Sequence, residues 1–308
     1  MALATGCTSA AKPVTAATLG VASSSSNLRA TLTLEEPGPL VFEKVLAADW
    51  VIDRAGLINL KHERAVQAGL SDGDEPIQIY FYRLTHPTYG SFLIDSGIAS
   101  SFEEPASAPQ LSWLIRRAMN TSVLVPQQTT GDWLEQTDTK LSGVFLTHLH
   151  LDHIFGMPDI PAEVPVYVGP GETRVRSIEN AFSRGTTNRL LANVTALREW
   201  QFTSDPDQEF DGVIDVFGDG SLWALHVPGH TPGSTAFIVR TTDGPQLITG
   251  DASHTVWGWD NGVEPGEFSH DFARSKQSLA ALKALAQDFA ALDVHPGHQL
   301  AGGRERPE

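Results

Sequence analysis

The sequence predicts a layered α/β protein in which helices cover β-sheets. Apolar and polar residues alternate as in a strand at 77–84, and after a turn-forming stretch a second block at 92–94 completes an antiparallel hairpin. Apolar residues at helical spacing are clearest at 275–292. Because strand-like blocks and helices alternate along the chain, we expect one folded domain over residues 31–308.

Shorter apolar blocks supply the remaining elements of this prediction. Strands are predicted at 144–147, 164–168, 222–227, 236–240 and 247–249, and a further helical pattern lies at 172–184. A chain of 308 residues is long enough to bury a full hydrophobic core.

The charge balance of the chain restricts its partners. The sequence contains 21 Lys+Arg and 37 Asp+Glu, which gives a formal net charge of −16 at pH 7. Such a field repels polyanions, so we expect no nucleic-acid partner and no binding to an anionic membrane surface. No run approaches the roughly 18 consecutive apolar residues of a membrane helix, so we expect no transmembrane span. A small-molecule substrate is compatible with this composition.

Residues 1–30 are predicted to form a disordered leader or tether outside the fold. They are rich in Ala, Ser and Thr and contain no acidic residue. Two interpretations stay open. The segment around Cys7 resembles the end of a bacterial lipoprotein signal, which places the protein in the periplasm, tethered to a membrane, or secreted. Alternatively, it is a tail with an inert thiol on a cytoplasmic protein.

The side chains with metal-binding chemistry lie directly after a predicted strand. Residues 147–153 read THLHLDH. In an extended chain alternate side chains share a face, so His148 and His150 point the same way. Asp152 and His153 follow where the chain turns. Four nitrogen or oxygen donors in so short a segment suit a borderline divalent metal such as zinc.

This signature resembles that of the metallo-β-lactamase superfamily, and four further motifs follow the order found in that family. They are LIDSG with Asp95, PGHTPGS with His230, TGD with Asp251 and PGH with His298. The resemblance covers about residues 40–300. It implies an αββα sandwich, in which two mixed β-sheets are flanked by helices and a metal site lies at the edge of the sheets.

The resemblance also implies a centre of two divalent metal ions, with zinc as the expected metal. Each ion has three ligands of its own and one aspartate is shared: His148, His150 and His230 for the first ion, Asp152, His153 and His298 for the second, and Asp251 for both. Asp95 is implied as the structural support of the histidine segment. Physical chemistry agrees, because two dications about 3.5–4 Å apart need a bridging anion.

Two other histidines compete for a place in this site. Only three residues separate His295 from His298, and we favour His298 as the last ligand because it completes the PGH motif, while His295 is expected to end a strand. His226 lies on the strand that leads to His230 and is expected to be packed or hydrogen-bonded rather than ligating.

Several large apolar side chains are candidates for a substrate pocket. The long segment before the histidine motif resembles the insertion of N-acyl-homoserine lactonases and contains Trp113, Met119 and Trp133. It either lines a groove for an acyl chain or covers the sheet. Trp257 and Trp259 either form an aromatic wall of the pocket or belong to the core.

One position departs from the lactonase pattern. Three residues after the bridging aspartate those enzymes have a tyrosine that hydrogen-bonds the substrate carbonyl, and this chain has His254. A neutral imidazole can donate one hydrogen bond, so we assign to His254 the stabilisation of the oxyanion. We assign to Asp152 the orientation of the hydroxide and the transfer of its proton to the leaving alkoxide.

The sequence therefore predicts a zinc-dependent, lactonase-like hydrolase. It would open the ring of an N-acyl-homoserine lactone by attack of a metal-bridging hydroxide. The expected role of this reaction is quorum quenching, and the expected source is bacterial. Three alternatives stay open. They are a β-lactamase with the same histidine-rich core, a phosphodiesterase or other esterase of the superfamily, and a di-iron electron-transfer or binding protein.

Overall fold

The computed structural model describes residues 9–20, 27–33, 36–174, 178–205, 207 and 209–300. Within these ranges the chain forms two mixed β-sheets, nine α-helices and five short 3₁₀ helices. This confirms the predicted α/β class and the alternation of strands with helices.

The strands and helices have the following bounds. The strands are β1 (Val14–Ala16), β2 (Val41–Asp53), β3 (Asp74–His86), β4 (Gly90–Ile94), β5 (Val125–Pro126), β6 (Leu141–Phe145), β7 (Val166–Val168), β8 (Leu197–Glu199), β9 (Val213–Asp215), β10 (Leu222–His226), β11 (Thr235–Thr241), β12 (Gly244–Ile248) and β13 (Asp293–His295). The helices are α1 (Leu28–Leu32), α2 (Arg54–Leu57), α3 (Glu63–Gln67), α4 (Trp113–Ala118), α5 (Thr130–Thr137), α6 (Leu151–Ile154), α7 (Ile178–Leu190), α8 (Val256–Asn261) and α9 (Phe272–Asp288). None of these helices is long and apolar enough to cross a membrane.

The chain divides into two compact units. The eight-stranded sheet belongs to the first unit except for the end of β2 and the start of β3, and the five-stranded sheet belongs to the second. The first unit is built from described residues of 9–18, 41–51 and 78–201, and its eight strands have the order β1-β8-β7-β6-β4-β3-β2-β5. The second unit is built from described residues of 19–40, 52–77 and 202–300, and its five strands have the order β13-β12-β11-β10-β9.

Strand direction in the first unit determines where its polar loops emerge. β3 and β4 form the predicted antiparallel hairpin, in which His86 is opposite Gly90. β4, β6, β7 and β8 run parallel to one another. Carboxyl ends of parallel strands meet at one edge of a sheet, which is where ligand-binding loops concentrate in α/β folds. Asp95 follows β4 and residues 147–153 follow β6 at this edge.

Part of the N-terminal segment belongs to the fold, which corrects the expectation that residues 1–30 are a disordered leader. β1 pairs in parallel with β8, with Val14 opposite Leu197. The pairing uses backbone N–H and C=O groups, so it needs few large apolar side chains, and composition alone did not indicate it. Cys7, on which the lipoprotein interpretation depends, lies outside the described residues.

The predicted helix at 275–292 is present as α9 and covers the core of the second unit. Its buried face consists of Leu279, Leu282 and Leu285, which pack in one hydrophobic cluster with side chains of β10 and β11. The helix begins after Asp271, whose side chain caps its first turn. Burial of this apolar stripe is what holds α9 on the sheet.

We expect Leu282→Ala to lower the free energy of unfolding by about 2–5 kcal/mol, because it removes a fully buried side chain and leaves a cavity. Urea unfolding followed by circular dichroism measures this change. Lys276→Ala, at an exposed position of the same helix, should change the value by no more than about 0.5 kcal/mol. Equal losses in the two variants would show that α9 is not held by its buried face.

Candidate metal centre

Asp95 orients the histidine segment of the first unit. Its backbone φ is 56°, a left-handed conformation that is uncommon for residues other than glycine. Its Oδ1 accepts a hydrogen bond from the Thr147 N–H at 2.8 Å, and its Oδ2 lies 2.8 Å from Nδ1 of His153. Because a carboxylate accepts, Nδ1 of His153 carries a hydrogen, and in the neutral ring Nε2 keeps a lone pair that can bind a metal.

Three imidazole rings lie together in this segment. The ring centroid of His148 is 4.6 Å from that of His150 and 4.1 Å from that of His153. Thr147 Oγ1 lies 3.1 Å from Nδ1 of His148 and 3.2 Å from Nδ1 of His153. Asp152 follows in the first turn of α6, with Oδ2 3.9 Å from Nε2 of His153. The first unit thus gathers, at the end of β6, four side chains of the types that can bind a metal.

Glu172 is a buried carboxylate that the sequence did not single out. It is 2% exposed, and its Oε2 accepts a hydrogen bond from the Leu149 N–H at 2.9 Å. This bond holds the backbone between His148 and His150. Glu172 lies in no motif and is distant in sequence from the segment it supports, so no local pattern could have identified it.

In the second unit, the loop that carries His230 rests on the start of α9. Gly229 has a φ of 144°, and a Cβ added there would lie 2.2 Å from the backbone nitrogen of Ser275. Only glycine allows this close approach. The His270 N–H donates to the His230 carbonyl at 3.0 Å, which fixes the loop from its other side. Nε2 of His230 then lies 3.3 Å from Oδ2 of Asp251.

Asp251 has three histidine nitrogens around it within the second unit. Besides His230, Nε2 of His254 lies 3.1 Å from Oδ2, and Nε2 of His298 lies 3.3 Å from Oδ1. All four side chains are at most 4% exposed. Two ligands of one tetrahedral zinc ion, each about 2.0–2.1 Å from the metal, are about 3.3–3.4 Å apart. The observed separations therefore fit metal ligands.

Because Gly297 has no side chain, the carboxylate of Asp251 can lie directly beside its backbone. A Cβ added at Gly297 would lie 2.3 Å from Oδ1 of Asp251. The Gly297 N–H donates to the Ser253 carbonyl at 2.8 Å, and the His298 N–H donates to the His254 carbonyl at 2.9 Å. These two bonds join the loop after β12 to the loop after β13. Buried imidazoles and carboxylates in each unit thus suit a borderline divalent metal.

His254 does not present the N–H that its predicted role requires. Its Nδ1 lies 3.0 Å from the carbonyl oxygen of Leu57. A carbonyl oxygen only accepts, so Nδ1 carries the hydrogen of the neutral ring and Nε2 presents a lone pair toward Asp251. The expectation that a neutral His254 donates to an oxyanion is therefore corrected, because its single N–H is bonded to Leu57.

The two competing histidines have other partners. His295 ends β13, and its Nε2 lies 2.8 Å from Oε1 of Gln246. Nε2 of His226 lies 2.8 Å from the carbonyl oxygen of Pro232, so it donates a hydrogen bond there. Burial of the His226 ring lowers its pKa, and this bond opposes the shift. The geometry places His298, and neither of these two rings, beside Asp251.

The five apolar residues proposed for a substrate pocket separate into two groups. Trp133 is 4% exposed and packs edge-on against Phe81, with ring centroids 5.3 Å apart. Trp259 is 9% exposed and belongs to the core cluster of the second unit. Both are core residues, which favours the alternatives that Trp133 covers the sheet and Trp259 belongs to the core, because a ring enclosed by protein offers no face to a ligand. The other three keep accessible surface: Trp113, Met119 and Trp257.

The fold and the order of the metal-binding motifs define a class of metal-dependent hydrolases. The family model described as the metallo-beta-lactamase superfamily matches residues 72–298. The chain belongs to this superfamily and has its fold, which confirms the resemblance seen in the sequence.

Two relatives with similar sequences are N-acyl homoserine lactonases. The chain is 31% identical over 231 residues to the lactonase AttM of Azorhizobium caulinodans, an alignment that covers 73% of this chain and 83% of that protein. It is 30% identical over 243 residues to AttM of Agrobacterium fabrum, covering 76% and 88%. A solved N-acyl homoserine lactone hydrolase with its product N-hexanoyl-L-homoserine bound at the catalytic metal centre shares the fold, with a TM-score of 0.57, 18% identity and coverage of 85% and 94%.

We expect Gly297→Ala to weaken zinc binding by about 10-fold or more, because the added methyl group displaces the Asp251 carboxylate. Competition with a chromophoric chelator measures the affinity. The matched control is Gly185→Ala in α7, where the nearest atom to the added Cβ is 3.5 Å away, and it should bind zinc like the parent. Parental affinity in Gly297→Ala would show that this carboxylate is not a ligand.

His226 should contribute to the loss of stability in acid. Because its pKa is lowered in the folded state, the unfolded chain takes up the proton more readily, and stability falls as pH drops below the ordinary value of about 6.5. Gln in place of His226 keeps an N–H donor for Pro232 and does not titrate. In metal-free protein, the urea midpoint of His226→Gln should therefore fall less between pH 8 and pH 5.5 than that of the parent. Equal falls would contradict this assignment.

Proposed function

We propose that this chain is a dinuclear metal-dependent hydrolase that opens the ring of N-acyl-homoserine lactones. The observation that carries the proposal is the identity of 31% and 30% to two lactonases over about three quarters of the chain. Buried histidines and aspartates in each unit support it, because they are the ligand types that this chemistry needs.

The proposed ligands are those assigned from the sequence. They are His148, His150 and His230 for one ion, Asp152, His153 and His298 for the other, and Asp251 for both. Zinc is the proposed metal, since imidazole nitrogen and carboxylate oxygen are its usual partners in catalytic sites. When bound, the ions polarise the lactone carbonyl and lower the pKa of water to near 7, which provides a nucleophile without Ser, Cys or Lys.

Asp152 is the proposed group for proton transfer. Both oxygens of Asp95 already bond to Thr147 or His153, which makes Asp95 a positioning residue. Asp152 has a side chain that is 16% exposed, the more accessible of the two carboxylates. In the proposed reaction a carboxylate oxygen of Asp152 accepts the proton of the attacking water and returns it to the ring oxygen as the ester bond breaks.

The charge and the apolar surface of the chain support a neutral, amphipathic substrate. With a net charge of −16, the protein repels phosphodiesters and other anions more than it repels an uncharged lactone. Trp113 is 65% exposed and Met119, at the end of the same helix α4, is partly exposed. We propose that these two side chains offer apolar contact to the acyl chain.

A comparison of substrate classes tests the proposal. Zinc-loaded protein should hydrolyse an N-acyl-homoserine lactone with a kcat/KM that exceeds those for a cephalosporin and for a bis-aryl phosphate by about 100-fold or more. A preference for the cephalosporin would identify a β-lactamase instead, and a preference for the phosphate ester would identify a phosphodiesterase.

Two aspartate variants show whether the turnover comes from the proposed centre. Asp251→Ala should lose both bound metal and lactone hydrolysis. Asp293→Ala, at an exposed position of β13, should keep both. Retained lactone hydrolysis in Asp251→Ala would contradict the proposed ligand set.

A further inference from the structure

We infer that His254 is a metal ligand, which binds through Nε2 the ion held by Asp251 and His298. It adds a protein donor to the seven side chains assigned from the motifs. The inference rests on the metal centre of the proposed function, but it does not depend on which substrate the centre hydrolyses.

The first argument is the spacing of the donor atoms. One ligand atom from each of Asp251, His254 and His298 lies within 4.8 Å of the others. Nε2 of His254 is 3.1 Å from Oδ2 of Asp251, close to the spacing of about 3.3–3.4 Å between two ligands of one tetrahedral zinc ion. All three side chains belong to the second unit and are buried.

The second argument is the orientation of the His254 ring. Nδ1 donates to the carbonyl of Leu57, the last residue of α2, at 3.0 Å. Carbonyls at the end of a helix are not used by its own hydrogen-bond ladder, so this oxygen can accept a side-chain donor. A bond from Nδ1–H to a backbone carbonyl is the usual support of a histidine that binds metal through Nε2. The ring is 2% exposed, so water does not supply its partners.

The third argument is that the backbone couples His254 to His298. The His298 N–H donates to the His254 carbonyl at 2.9 Å, and the two rings are nearly parallel, with an interplanar angle of 16° and centroids 5.7 Å apart. Their spacing is therefore fixed by the fold. Such preorganisation suits two ligands of one ion.

The competing assignment is a hydrogen-bond donor to the substrate. That role needs a hydrogen on Nε2, which in a neutral ring would leave an unprotonated Nδ1 against the Leu57 oxygen. In a doubly protonated ring, the Nε2 hydrogen would bond to Asp251 at 3.1 Å. A bond from Nε2–H to a substrate would therefore break the contact with Leu57 in the neutral ring, or the contact with Asp251 in the doubly protonated ring.

Cadmium-113 NMR of the full chain tests the inference directly. In protein loaded with ¹¹³Cd²⁺, a spin coupling to the metal should appear at the imidazole ring of His254. His254→Gln should lose that one histidine coupling and bind cadmium about 10-fold or more weakly at one site. The matched control is His295→Gln, whose ring bonds to Gln246, and it should keep the parental couplings and affinity.

The outcomes separate this inference from the proposed function. Absence of a coupling at His254 in the loaded parent would overturn the inference, and this result needs no variant to fold. Retention of every coupling in His254→Gln, with loss of turnover alone, would also overturn it and assign a donor role. A coupling at His254 in protein that fails to hydrolyse lactones would support the inference and contradict only the proposed substrate.

Discussion

The hydrogen bond that a protein oxygen makes with Nδ1 of a histidine is the interaction on which the site depends. A neutral imidazole has one hydrogen, and a bond at Nδ1 leaves the lone pair at Nε2. Asp95 makes this bond to His153 in the first unit, and the Leu57 carbonyl makes it to His254 in the second. Because both rings are buried, their orientation is set by these contacts, and Nε2, the nitrogen proposed to bind metal, is presented without further reorganisation.

These contacts require unusual backbone geometry beside them. Asp95 has a φ of 56°, and Gly229 has one of 144° at a point where a Cβ would collide with Ser275. Gly297 likewise approaches Asp251 too closely for any side chain. Conformations of this kind persist only where the surrounding fold determines them. The parallel pairing of β4 with β6 fixes the backbone at Asp95, and the packing of the His230 loop on α9 fixes it at Gly229.

The sequence predicted the elements whose information is local. The histidine segment at 147–153 is contiguous, and the β3–β4 hairpin and α9 have clear periodicity. β1 was missed because its pairing depends on backbone groups, and Glu172 and Leu57 were missed because they act across the fold from positions in no motif. Nor did the sequence distinguish a core tryptophan from a pocket tryptophan, since burial depends on tertiary neighbours of the ring.

The burial of Asp251 makes a cation beside its carboxylate favourable. A carboxylate that is 4% exposed loses most of its hydration, which is costly unless positive charge is placed beside it. Neutral imidazoles supply no such charge, whereas a dication held between them would, so binding of the proposed metal would stabilise the second unit. In the proposed centre, a neutral His254 would add a nitrogen donor to that ion without adding negative charge. The ion would therefore keep more of its positive charge for polarising a carbonyl than another carboxylate ligand would leave it.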